Sequence, residues 1–192
     1  MNSFAVSPLH IALGLNDGIE IVNEGENEIP DIDSAGDLAL LALSKDGSLL
    51  ASSNSTGFIE VWKLEKGMFH LVGSIQKEAV LSMTFSPLGT QLAVGTTNAV
   101  YLIDPSNANE TARIPHAGGV NGVSYSSDGN LLFTASLKAL QLWDITKVQI
   151  LNADNLVDVA CARIVENFSE TQWSNLFQDE DYRVLCENLP EN

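Results

Sequence analysis

Basic residues are scarce in this chain. Of 192 residues only nine are Lys or Arg, against 25 Asp and Glu, and the formal net charge is −16. Phosphate backbones and anionic lipid heads repel such a chain, which sets nucleic acid and membrane surfaces aside as partners. The same excess favours solubility and, more sharply, protein partners of basic character. Cysteine is nearly lacking too. Cys161 and Cys186 stand far apart in sequence and make neither a CxxC pair nor a zinc set; two reduced thiols are expected of a cytosolic chain. No apolar run approaches the ~20 residues of a membrane helix. The start "MNSFAVSPLH" lacks the basic onset and long apolar core of a secretory signal, so a cytoplasmic location is the expectation. What is present, 45% apolar and 18% charged residues, is the composition of a globular protein.

The chain repeats itself. Ser7, Ser44, Ser86 and Ser126 each open a tight turn, at spacings of 37, 42 and 40 residues. A short strand of small and apolar residues precedes each turn ("SFAVS", "LALLALS", "LSMTFS", "VNGVSYS"). Three of the turns end in Gly47, Gly89 and Gly129, supplying the positive φ that such a hairpin loop needs. The first copy carries His10 at that place. An apolar run follows, then a second short turn ("NDG" at 16–18, "STG" at 55–57), then an alternating strand with Ile19 and Ile21, Ile59 and Val61, Val100 and Leu102, or Leu140 and Leu142. A polar link leads to a fourth strand, "NEIPDID", "FHLVGSI", "TARIP" or "VQILN". The unit is a four-stranded antiparallel meander of about 40 residues, apolar on both faces, which must stack on its neighbours.

The Ser-x-x-Gly turns and the third-strand endings "EVWK" (Trp62) and "QLWD" (Trp143, Asp144) resemble the WD-repeat β-propeller family. Asp104 after Ile103 holds the matching place in the third copy, and Asn23 after Val22 in the first. The stretch "PHAGGVNGVSYSSDG" is similar to the family's His-containing entry loop. The resemblance implies a hydrogen-bond network of His116, Thr134 and Trp143. The acid that completes it in the family has no counterpart in "SLKAL". The expected fold is mainly β: four propeller blades over residues 1–152, then a small α-helical extension over 153–192 packed on them.

That extension follows from a change of period. Val157, Cys161, Ile164, Val165 and Phe168 share one helical face. The box "SETQ" at 169–172 opens a second helix carrying Trp173, Leu176 and Phe177, and Pro190 stops any helix. Ala160, Cys161, Asn167, Ser169, Trp173, Tyr182, Arg183, Cys186, Leu189 and Pro190 resemble the tail that follows propellers of bacterial, cyanobacterial-type multidomain signalling proteins. The resemblance implies a sensor or scaffold at the C-terminal end of such a protein.

Catalytic motifs are missing: there is no Walker A, GxGxxG or GxSxG sequence, and the three histidines stand singly. "DIDSAGD" at 31–37 begins like a calcium loop, but Ala35 and Ala42 fall where ligands belong. No metal, cofactor or catalytic residue is assigned, and the inner strands offer hydroxyls without an acid or base. A channel enzyme is the remote alternative. Binding remains, through loops held by a stiff scaffold. The candidate contact residues are Asn16, Asp17, Asn54, Ser55, Thr56, Asn98, His116 and Lys138, in loops expected at one end of the blades. Family rings contain more blades than four, so three closures stay open. Two chains form an eight-bladed homodimer, further blades come from elsewhere, or four close alone. A structural half-propeller completing another chain's ring is the alternative to a scaffold.

Overall fold

The computed structural model describes residues 3–15, 18–23, 29–33, 38–147 and 169–171. The chain divides into two compact units, Met1–Val148 and Gln149–Asn192. Of the second unit only residues 169–171 are described. The expected helices over 153–192, with Cys161 and Cys186, otherwise lie outside the described residues, and no helical extension is shown.

The first unit is built of four antiparallel sheets in chain order. Sheet I holds β1 (Phe4–Val6), β2 (His10–Gly14) and β3 (Ile19–Asn23). Sheet II holds β4 (Leu38–Leu43), β5 (Leu49–Asn54), β6 (Phe58–Glu65) and β7 (Met68–Gln76). Sheet III holds β8 (Val80–Phe85), β9 (Leu92–Thr96), β10 (Ala99–Asp104) and β11 (Asn109–Pro115). Sheet IV holds β12 (Val120–Tyr125), β13 (Leu131–Ser136) and β14 (Leu140–Asp144). Each is a meander, with every strand paired to the next. The first strands β1, β4, β8 and β12 lie side by side in sequence order, as the inner strands of radially stacked sheets do.

Two expected fourth strands differ. In sheet I the described residues 29–33 of "NEIPDID" hold one isolated bridge, Ile19 with Ile32, because Pro30 and the acids flanking Ile32 make a poor ladder. In sheet IV the stretch "VQILN" lies outside the described residues from 148 onward.

The repeated turn has one chemistry in sheets II, III and IV. The amides of Gly47, Gly89 and Gly129 each donate to the carbonyl of the opening Ser at 2.9 Å. Their φ values are 71°, 69° and 76°, a region open to glycine at little cost. The hydroxyls of Ser44, Ser86 and Ser126 accept the amide five residues on, at 2.9, 3.1 and 2.9 Å. The first copy departs from this pattern. Its turn closes earlier, with Ser7 N–H donating to the His10 carbonyl at 2.8 Å, so His10 starts β2 and is no counterpart of the turn glycines.

Stacking buries both faces of the middle sheets by the period of two. Ala12, Ile19 and Ile21 of sheet I share a core with Leu41, Leu50 and Trp62 of sheet II. The opposite side chains of sheet II, Ala51, Ile59 and Val61, meet Leu92, Val94, Tyr101 and Ile103 of sheet III. Ala93, Val100 and Leu102 then meet Val120, Leu132 and Trp143 of sheet IV. Polar bonds tie the junctions: Ser3 Oγ accepts the Leu41 amide at 3.0 Å, and Ser82 Oγ donates to the Val120 carbonyl at 2.8 Å.

Candidate functional site

The expected contact loops of sheets II to IV lie at one end of the sheets, and those of Asn54, Asn98 and His116 are joined by hydrogen bonds. Asn54 folds its own turn: its side-chain Oδ1 accepts the amides of Thr56 and Phe58 at 3.0 and 2.9 Å and the Thr56 hydroxyl at 2.8 Å. Gly57 closes that turn at φ 84°. A Cβ there would stand 2.2 Å from the Lys77 carbonyl oxygen, so the β5–β6 turn and the β7–β8 link fit only through glycine. Gln76 Nε2 donates to the Thr56 carbonyl at 2.6 Å.

The next loop is joined by Glu78. Its carboxylate accepts Asn98 Nδ2 at 3.3 Å and the Tyr101 hydroxyl at 3.0 Å. Its own backbone N–H, then Tyr101 and Asn98, hold that carboxyl below the usual range. Burial, with the Glu78 bond, pushes the Tyr101 phenol up. Lys77 sits over the Tyr101 ring at 4.3 Å and pairs with Glu110. The Asn98 carbonyl in turn accepts the His116 amide at 2.8 Å. The β5–β6, β7–β8, β9–β10 and β11–β12 connections are thereby linked, each to the next, by direct bonds.

His116, Thr134 and Trp143 come together in sheet IV. Trp143 Nε1–H donates to Thr134 Oγ1 at 3.0 Å, and Thr134 Oγ1 lies 2.9 Å from His116 Nε2. The two rings meet edge-on at 6.0 Å. Thr134 is buried, so its own proton is best placed on His116 Nε2, which makes the imidazole neutral with its hydrogen on Nδ1. Burial lowers the His116 pKa, in agreement.

The other sequence-assigned residues separate by place. Ser55, Asn98 and Lys138 are exposed at this end. Asn16 and Asp17 lie outside the described residues. Trp62 occupies in sheet II the register of Trp143, opposite Leu50 as Trp143 is opposite Leu132. Its buried Nε1, however, has no hydrogen-bond partner among the described residues. Asp104 and Asp144 lie at the other end, where each accepts the amide two residues on, at 2.8 and 3.2 Å, as turn-closing groups. Sequence reasoning placed Glu78 in a contact loop at this end but missed Tyr101 and the bond by which the pair joins two loops. An acid opening a link directly before an inner strand is the only signal they leave.

No group of three or more His, Cys, Asp or Glu suited to a metal occurs among the described residues. No helix there is long and apolar enough to cross a membrane.

Comparison with known proteins agrees with this geometry. Residues 110–144 match the family described as WD domain, G-beta repeat. The chain is 37% identical over 75 residues to pre-mRNA-processing factor 19 of Oryza sativa, 38% of this chain and 14% of that one. It is 25% identical over 143 residues to the guanine nucleotide-binding protein subunit beta of Saccharomyces cerevisiae, 70% of this chain and 34% of that one. It is 32% identical over 109 residues to the WD repeat-containing protein SL1-17 of Schistosoma mansoni, 55% of this chain and 36% of that one. The chain thus spans little more than a third of these relatives at most. Among solved structures, Kuenenia stuttgartiensis hydrazine synthase superposes with a TM-score of 0.64 at 16% identity, over 78% of this chain and 47% of that one; this likeness concerns the fold alone. The matched repeat, the relatives and the stacked meanders are consistent with the WD-repeat β-propeller family.

Proposed function

We propose that the chain is a non-enzymatic interaction module that binds protein partners of basic character through the loop end formed by Asn54, Ser55, Thr56, Asn98, His116 and Lys138. The observation that carries this is the bonding of successive loops to one another through Gln76, Glu78 and Asn98. A surface fixed before binding loses little conformational entropy on contact. The net charge of −16 supports a basic partner by steering its approach. The tail's resemblance supports a place as sensor or scaffold within a larger bacterial signalling protein in the cytoplasm.

The test is fluorescence anisotropy with labelled Lys/Arg-rich and Asp/Glu-rich peptides of equal length. The basic peptide is expected to bind and to weaken as salt rises. Ser55→Lys combined with Asn98→Lys, both at exposed positions, is expected to reduce its affinity by about ten-fold. Equal binding of both peptides refutes the charge preference. Unchanged binding by the double variant moves the contact away from this end.

A further inference from the structure

Every sheet in the stack has a front face, toward the preceding sheet, and a back face, toward the following one. Three junctions consume three of each. Among the described sheets the front of sheet I and the back of sheet IV remain, and both are mainly apolar. Phe4, Val6, Ile11 and Val22 lie on the first, with Phe4 68% exposed, and Glu20 is the charged residue beside them. Phe133, Leu140 and Leu142 lie on the second, with Leu140 84% exposed. Scattered apolar residues on a surface need no explanation, but two contiguous apolar sheet faces do.

The sizes on these faces indicate what covers them. Strand register equates one back position through the four sheets: Ala12, Ala51, Ala93 and Phe133, opposite Ile21, Val61, Leu102 and Leu142. It equates one front position likewise: Val22, Trp62, Ile103 and Trp143, opposite Ile11, Leu50, Leu92 and Leu132. At each internal junction a back alanine shares its core with a large front residue. Ala12 goes with Trp62, Ala51 with Ile103, and Ala93 with Trp143. The two unused faces reverse the order, with large Phe133 at the back and small Val22 at the front. Close packing tolerates a large–small exchange when both partners change together. A front face with Trp at this place, as in sheets II and IV, would crowd Phe133. An ordinary back alanine would leave a void over Val22.

We infer that the back face of sheet IV docks on the front face of sheet I of a second copy of this chain, with Phe133 seated over Val22. A two-fold axis makes the same contact twice and closes two sets of four sheets into a ring of eight. This surface is separate from the loop end proposed for partner binding, and either reading survives the loss of the other. Because each copy carries a charge of −16, apolar burial drives the association, and added salt strengthens it by screening the repulsion between copies.

Sedimentation equilibrium of the 192-residue chain tests the inference. The expected mass is twice that of the 20.6 kDa chain. Phe133→Ala and Val22→Trp are each expected to weaken the dimer by about ten-fold or more. Together they recreate the Ala–Trp pairing of the internal junctions and are expected to restore it. Leu140→Glu, a third change on the same back face, is expected to give monomers, and circular dichroism checks that each variant is folded. A monomeric mass for the unaltered chain overturns the inference, as does polydisperse aggregation; either assigns the faces to sheets of another kind. A dimer indifferent to the single changes, or one that the double change fails to restore, also overturns it.

Discussion

At the scale of single residues, Thr134 has the most to lose. Its hydroxyl serves both His116 Nε2 and Trp143 Nε1. Thr134→Val keeps the shape and strips both rings of a partner. The expected loss is about 1–3 kcal/mol, read by urea unfolding. His116 adds a pH signature. Burial holds its folded pKa below the ordinary 6.5, so the unfolded chain binds the proton more readily. Its contribution is whole above 6.5 and is lost as pH falls through the lower folded value. His116→Gln is expected to flatten the stability–pH curve in that window; an unaltered curve means that another group titrates there. The two equivalent tryptophans should behave differently. Trp62 is the more buried, yet its Nε1 lacks a partner among the described residues, so Trp62→Phe removes a buried polar group along with some packing. Trp143→Phe breaks a bond. Thermal unfolding is expected to show Trp143→Phe as the costlier change.

At the scale of elements, turns were the most legible feature. The spacing of Ser44, Ser86 and Ser126 from their glycines predicts positive φ at Gly47, Gly89 and Gly129, as found. The first copy differs because His10 stands where the other three have Gly, which disfavours the left-handed closure, and the hairpin closes two residues sooner. The β6–β7 hairpin turns on Lys66 and Gly67, both with positive φ (51° and 80°). This two-residue turn follows the twist of the strands and favours Asn or Gly at its first position. Lys66→Asn is expected to raise stability by about 0.5–1 kcal/mol, seen as a higher urea midpoint. Gly57→Ala is expected to do the reverse on a larger scale, because Cβ meets the backbone of the neighbouring link. Acid acts on the repeated turns as well. The Ser44 hydroxyl and the Ser48 amide hold Asp46 below its ordinary 3.8, and Ser126 with Asn130 does the same for Asp128. What these carboxylates contribute is present above 3.8 and fades as pH drops through their lower folded values.

For the whole molecule, stability follows the order of stacking. Each sheet leans on its neighbours, so nearest-neighbour contacts dominate. Sheet III is covered on both sides, and Leu92, Val94, Val100 and Ile103 are fully buried. Sheets I and IV have one covered side each. Hydrogen exchange on a dilute sample is expected to be slowest in β9 and β10 and fastest in β1 and β14. Uniform protection would show that the stack opens only as a unit. Ile103→Ala, which opens a void between sheets II and III, is expected to cost about 2–5 kcal/mol.

The sequence alone determined the meander, its turns and its two-sided apolar strands. These features are local: a glycine at fixed distance from a serine and a period of two need no knowledge of distant contacts. It also brought His116, Thr134 and Trp143 into one expected group, through the family resemblance. Tertiary structure decided how the units meet. Only stacking shows that the β5–β6 turn fits through Gly57, that Glu78 joins two loops, and that Trp62 and Trp143 share a register but differ in bonding. Only stacking shows which faces stay uncovered and how their sizes differ from those buried within. The physical reason is that packing complementarity lies between residues about 40 positions apart, and the chain's local pattern carries no information about which side chain will lie opposite.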